Sequence, residues 1–399
     1  MSMNYKQILF LILGLDTLIL LFQVTELSIS YKEVLILEGD ISFLQLLVNS
    51  SFYLFGRNDF ALRLPMILFH IGSAILFYEV SKEYIKREKD RLWLLLVYVL
   101  LPGVMSSAIV VNSAGIIIFG LFLFLYLYQK FDERYVYGLL ILYAFIEADF
   151  SYLFASLVIY SIYTKNRNFF ILNIILFIIS ISLYGLYVKG VPSGHFLDTI
   201  GIYATVFSSI VFVYIIYTLS KKYILKELDI IWFISSTVLI YSLIISFRQK
   251  IAIEHFAPYL IIALPLAGNF FIRSYRVRLK QFRKNYKNIF IVALSLLFIH
   301  SLIIFCNKEF YAFIEKPKKH FAYKMHIAKE LAKNLQLQSI KCVTTDKKMS
   351  MRLKFYGIES CSENVLSKIA VNKVNAKSVT VSYANRVVYS ATVTKLNSK

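Results

Sequence analysis

The feature that most constrains this chain is a succession of apolar blocks, each about 15 to 20 residues long, separated by short charged connectors. A helix of that length approaches the roughly 30 Å hydrocarbon thickness of a bilayer. In lipid each backbone N–H and C=O must find its partner within the spanning segment, so such a chain is committed to transmembrane helices. About eleven blocks are expected, near 8 to 25, 64 to 80, 92 to 110, 114 to 128, 135 to 147, 150 to 163, 169 to 187, 202 to 219, 230 to 247, 257 to 272 and 288 to 305. Pro102-Gly103, Asn112 to Gly115 and Glu147-Ala148-Asp149 interrupt the third to sixth. Composition agrees: 58% of the residues are hydrophobic and 17% are charged, against about 25% charged in soluble domains. With 29 tyrosines, 34 phenylalanines, six prolines and three cysteines, disordered, collagenous and disulfide-dense classes are excluded.

Lysine and arginine set the orientation, because short loops rich in them stay cytoplasmic. With the N-terminus inside, the inner connectors (Lys6, Lys82 to Arg91, Lys130 to Arg134, Lys165 to Arg167, Lys221 to Lys226, Arg273 to Lys287) hold about 20 basic residues. The outer connectors hold six: Lys32, Arg57, Arg63, Lys189, Arg248 and Lys250. The net charge of +20 is therefore topology plus a basic tail. It reads as contact with anionic membrane lipids, and no nucleic-acid partner is expected. The first block has no small-residue cleavage pattern behind it and reads as a retained anchor.

An odd number of crossings places residues 306–399 outside. That segment is rich in Lys, Ser, Asn and Val. His320 to Leu337 is expected as an amphipathic helix, Ser339 to Thr345 as a strand, and Asp346 to Tyr356 as a helix capped by Asp346. Glu363 to Asn372 is expected as a further helix, and Ser378 to Tyr383 with Val387 to Thr394 as a hairpin. The predicted fold class is an all-α polytopic membrane protein with a small C-terminal α/β periplasmic domain, the boundary falling between 1–305 and 306–399. Cys342 and Cys361 lie in an oxidising compartment, on either side of a helix that returns the chain, and are expected to form a disulfide. Cys306, at the membrane edge, is expected to stay free.

The first outer loop, about 26–63, carries Glu26, Glu33, Glu38, Asp40 and Asp59. Its second half, Phe43 to Gly56, suits a helix lying in the headgroup region, where it could bring a carboxylate to a lipid-borne reactant. Three stretches then carry a resemblance. Tyr31-Lys32-Glu33-Val34, followed after an amphipathic stretch by Phe55-Gly56-Arg57-Asn58-Asp59-Phe60-Ala61-Leu62-Arg63-Leu64-Pro65, resembles the first outer loop of the GT-C membrane glycosyltransferases. The nearest branch is that of the lipid A aminoarabinose transferases and protein O-mannosyltransferases. Glu254-His255-Phe256-Ala257-Pro258-Tyr259-Leu260 through Leu264-Pro265-Leu266 is similar to a late span of the same family.

The resemblance implies transfer of a sugar from a polyprenyl-phosphate carrier to a glycolipid or glycan acceptor outside a bacterial inner membrane. An acid of the first-loop motif would act as general base or position the acceptor. Lys32 occupies the place of the motif's Asp, leaving Glu33 as the catalytic candidate and Asp40 in reserve. The leaving phosphate needs cations, and Arg248 with Lys250 sit where the ninth span emerges outside. Tyr31, Lys32, Arg63, His195, Asp198 and His255 are candidate substrate contacts. His195 and Asp198, in the outer loop Lys189 to Asp198, are also consistent with a capped turn, since two ligands make no metal site. No cofactor is assigned, and a divalent cation is left open. Asp16, within the first span, should face the bundle interior as a hydrogen-bond partner. The readings from other classes are a catalytically silent scaffold of this fold in envelope glycan assembly and a lipid-linked-sugar transporter.

Overall fold

The computed structural model describes residues 4–185, 194–367 and 376–395. Along the chain the helices are α1 (Tyr5–Glu26), α2 (Tyr31–Glu38), α3 (Phe43–Phe55), α4 (Asp59–Tyr84), α5 (Glu88–Val99), α6 (Pro102–Ile109), α7 (Ser113–Lys130), α8 (Glu133–Ile146), α9 (Phe150–Thr164), α10 (Arg167–Tyr184), α11 (Phe196–Phe207), α12 (Ser209–Leu225), α13 (Ile230–Ser246), α14 (Ala257–Ile261), α15 (Leu264–Val277), α16 (Lys280–Phe305), α17 (Ala328–Leu337) and α18 (Lys347–Phe355). Three strands follow: β1 (Asn364–Ser367), β2 (Ala376–Tyr383) and β3 (Arg386–Lys395). The protein is a polytopic helical membrane protein with one small sheet. Two compact units divide it, Met1–Leu20 with Met66–Ser301, and Leu21–Pro65 with Leu302–Lys399. The second unit is thus larger than the expected segment 306–399, because it takes in the first outer loop.

In the first unit, the described residues of each expected apolar block from the third to the tenth are mostly helical. Side-chain caps start several of these helices: Asn112 accepts from Gly115 N–H, Asn166 from Phe169 N–H and Asp229 from Trp232 N–H. Each cap satisfies one of the four N–H groups that a helix start leaves open. The block at 202 to 219 is not one straight span. Its two halves, α11 and α12, meet at 106° around Ser208, whose φ of +62° lies in the left-handed region. The block at 92 to 110 bends by 60° between α5 and α6, where Pro102 opens the second piece. By length and composition, six helices among the described residues can cross a membrane, or up to nine if each bent pair counts once, with α9 and α13 as shorter apolar helices. Asp16 is paired inside this unit, its Oδ2 2.6 Å from His70 Nε2.

In the second unit, α17, α18 and the sheet enclose a core of Leu331, Leu335, Val343, Leu353, Val379 and Val393, among others. The sheet order is β1-β3-β2, antiparallel throughout. The β2–β3 hairpin turns through Ala384 and Asn385, both at positive φ, which matches the twist of the strands it joins. Asp346 caps α18 by accepting from Met349 N–H. Cys342 and Cys361 are disulfide-bonded, with Cα atoms 5.5 Å apart, and Cys306 is free and exposed.

Three expectations for the tail are corrected. The helix expected from His320 begins only at Ala328, since Pro317–Lys319 and Tyr323–Met325 are single 3-10 turns. Ser339 to Thr345 makes only isolated parallel bridges, Cys342 to Glu359 and Thr344 to Val365. The helix expected from Glu363 is instead strand β1, because Leu366 is buried on the sheet face while Thr344 N–H donates to Asn364 O and Leu366 N–H to Thr344 O. The remainder of that stretch, 368–372, lies outside the described residues.

Candidate functional site

In the second unit, the first-loop motif is assembled around Arg63. Ser30 and Glu33 form a capping box at the start of α2: Glu33 N–H donates to Ser30 Oγ at 3.2 Å and Ser30 N–H to Glu33 Oε2 at 2.7 Å. Arg63 Nε donates to Glu33 Oε1 and Nη2 to Oε2, each at 3.1 Å. The other guanidinium hydrogens meet the carbonyls of Val24 and Leu27, from Nη1 at 2.9 and 2.8 Å, and of Ser28, from Nη2 at 3.1 Å. Glu33 and Arg63 are both fully enclosed, at 0% exposure. All five donors of the arginine are used, and both carboxylate oxygens are committed.

Fully enclosed and held by an arginine fork and a helix cap, Glu33 has the surroundings of an anchor for the loop. Further ties fasten the loop within its unit. Tyr356 Oη donates to Asp59 Oδ1 at 2.7 Å and accepts Ile29 N–H at 2.7 Å. Lys329 Nζ lies 2.9 Å from Asp59 Oδ2, and Arg352 Nε donates to Ile29 O at 2.8 Å. Burial and the Asp59 charge push the Tyr356 phenol well above its usual range, so it acts as a neutral donor. Asp40 and Lys32 are exposed. Tyr31 lies under the Lys348 ammonium, 5.4 Å from ring centroid to Nζ.

In the first unit, three connectors that the orientation assigns to the outer side converge. Asp149 precedes α9, Ser113 opens α7, and His255 lies in the 3-10 turn before α14. Asp149 Oδ2 accepts from His255 Nδ1 at 2.6 Å and from Ser113 Oγ at 3.0 Å, while Tyr259 Oη donates to the Asp149 carbonyl at 2.6 Å. Asp149 is buried, whereas the His255 side chain is 35% exposed. An aspartate that fixes Nδ1–H leaves Nε2 as the working atom of the imidazole. Burial, the largest influence, favours neutral His255, but the hydrogen bond and charge of Asp149, with Glu254 and Glu147, outweigh it, and the net shift is upward from 6.5.

Glu147 stands two residues before Asp149 and is half-buried. Burial first, and then the Asp149 charge, push its carboxyl up to about 7, against the opposing effects of the Ala148 N–H and His255. Tyr152 and Phe256, with ring centroids 4.9 Å apart, place aromatic surface in the segments that carry the cluster. Arg248 and Lys250 are exposed on either side of buried Gln249, in the same connector as His255. His195 and Asp198 touch through Nδ1 and Oδ2 at 3.3 Å at the start of α11, with Asp198 69% exposed, and the N-cap residue His195 gives the helix no side-chain cap. Residues 189–193 of that loop lie outside the described residues.

Of the expected site residues, the structure brings Glu33 together with Arg63 and places Arg248, Lys250 and His255 on one connector. Asp149 and Glu147 were read in the sequence only as an interruption between two helices. Their signal was two carboxylates within a three-residue break between two apolar blocks. No group of three or more His, Cys, Asp or Glu side chains arranged to hold a metal occurs among the described residues.

No family model matches the chain, and no curated protein matches it in sequence. Solved structures do. ArnT from Cupriavidus metallidurans in the apo state aligns over 96% of this chain and 97% of its own, at a TM-score of 0.55 and 10% identity. The same protein bound to undecaprenyl phosphate aligns over 98% of both chains, at a TM-score of 0.60 and 10% identity. The chain therefore has, almost end to end, the polytopic fold of ArnT, a GT-C membrane glycosyltransferase.

Proposed function

We propose that this chain is an integral-membrane glycosyltransferase that moves a sugar from a polyprenyl-phosphate-linked donor to a glycolipid or glycan acceptor at the outer face of a bacterial inner membrane. The observation that carries the reading is the cluster of Glu147, Asp149 and His255. The fold in which it sits is shared with a protein solved with undecaprenyl phosphate.

In this reading Asp149 holds the His255 imidazolium, whose Nε2–H meets a donor phosphate oxygen, and Arg248 and Lys250 add charge from the same connector. The acceptor hydroxyl oxygen bonds to the anomeric carbon of the sugar. The carbon–oxygen bond to the phosphate breaks, and the carrier phosphate leaves with the electron pair. The hydroxyl proton passes to Glu147, whose carboxyl near 7 suits a general base at neutral pH, an effect of about 10²- to 10⁴-fold. The cations stabilise the charge that grows on the leaving phosphate.

Undecaprenyl phosphate binding to the purified protein tests the division of roles. Arg248→Ala should weaken binding at least tenfold and Arg248→Lys less, because a lysine keeps the charge and loses the fork. His255→Gln should weaken binding as well, and Glu147→Gln should leave it within about twofold. Binding untouched by both Arg248→Ala and His255→Gln would remove this connector from the donor site.

A further inference from the structure

We propose that the first unit carries, apart from the site above, a binding cavity for an anionic glycerophospholipid. A cavity of about 570 Å³ lies between α5, α12, α15 and α16, within the range of small-molecule sites. Its walls are apolar, with Leu94, Val97, Val211, Phe271, Phe290 and Leu294 among them. Its charged lining residues are Arg87, Lys89, Asp90, Arg276 and Lys287, from the N-terminal end of α5, the end of α15 and the start of α16. Asp90 is the sole carboxylate there, and Arg276 engages it, which leaves an excess of positive charge. Arg87 and Lys89 are exposed.

Apolar walls with a basic mouth fit an amphiphile whose chain enters the wall and whose anionic head stays at the rim. The mouth is formed by the connectors at 82–91 and 273–287, the two richest in basic residues of those expected inside. On α16, Ile289 both lines the cavity and is 48% exposed, so this wall has apolar surface facing outward from the unit. The mouth is not the donor site seen from another direction. His255 precedes α14 and Arg276 ends α15, and the 21 residues of Ala257–Val277 rise about 30 Å between them. A phosphate at the mouth is therefore that of a resident phospholipid of the opposite leaflet.

The experiment uses the full-length protein, delipidated in detergent and titrated with phosphatidylglycerol or phosphatidylcholine under native mass spectrometry. One phosphatidylglycerol should be retained per chain, and phosphatidylcholine should not. The double variant Arg87→Ala with Lys89→Ala removes two exposed cations, each contributing about fivefold, so binding should weaken about twenty-five-fold. Ala293→Trp, which fills the cavity from α16 and leaves the rim intact, should abolish binding. Equal retention of both lipids, or unchanged binding in both variants, would overturn the proposal. Displacement of phosphatidylglycerol by an equal amount of undecaprenyl phosphate would also overturn it.

Discussion

Two acidic side chains show how surroundings decide what a carboxylate can do. Glu33 meets an arginine whose five hydrogens are all taken, three by backbone carbonyls of residues 24–28, and it spends both oxygens holding the turn between α1 and α2. Glu147 meets no such arginine among the described residues, and burial beside Asp149 raises it to about 7. Removing one member of a buried pair leaves the other charge uncompensated and costs about 3–5 kcal/mol. Glu33→Gln should thus lower thermal stability markedly while the folded fraction keeps its specific activity within a few fold. A hundredfold activity loss with an unchanged melting temperature would make Glu33 the base after all. The pH profile follows from the two shifted groups. Glu147 must be ionised, so transfer should rise with pH through about 7, and His255 must be protonated, so transfer should fall again above its raised value. His255→Gln should remove the alkaline limb, and a profile in which it removes the acid limb would exchange the two roles.

At the scale of elements, the tail rests on a disulfide and on a histidine kept neutral. The loop closed by Cys342 and Cys361 spans 19 residues, and opening it with paired serines should cost about 3 kcal/mol, read as a lower melting temperature that is indifferent to reductant. His326 is 1% exposed and lies beside Tyr311, Oη to Nδ1 at 3.0 Å. Burial, then the His320 and Lys308 charges, pull it down to about 3. Its contribution to stability is full above 6.5 and is lost progressively as the pH falls toward 3. His326→Leu should flatten that part of the melting profile, and an unaltered profile would place the acid sensitivity elsewhere. These elements also show what the sequence could carry. α18 was legible because Asp346 stands three residues before Met349 at the head of an amphipathic run, and the hairpin because two alternating runs flank a short polar turn. β1 was not: Asn-Val-Leu-Ser fits either period, and only pairing with β3 and with Thr344 decides it. The Asp149–His255 pair lies 106 residues apart, beyond any local spacing rule.

Across the whole molecule, the apolar blocks and the lysine and arginine imbalance were the legible part, since each spanning helix is specified by its own composition. The bend at Ser208 escaped, because an apolar run says nothing of direction. Within the first unit, the expected orientation puts the Glu147 cluster at the outer side and the basic connectors at the inner side. A reporter fused after Lys287 should be cytoplasmic and one after Lys399 periplasmic, and a cytoplasmic signal at Lys399 would invert the assignment. The central claim is that Glu147, Asp149 and His255 transfer a sugar from a lipid carrier. Its most direct measurement is mass spectrometry of lipids and glycans extracted from cells carrying the wild-type gene, a deletion, or Glu147→Gln at equal protein level. The account predicts one sugar-bearing species that is present in the wild type, absent in the deletion, and reduced at least about a hundredfold in Glu147→Gln, because an amide cannot take the acceptor proton. A profile in which Glu147→Gln matches the wild type while the deletion loses the species would contradict it.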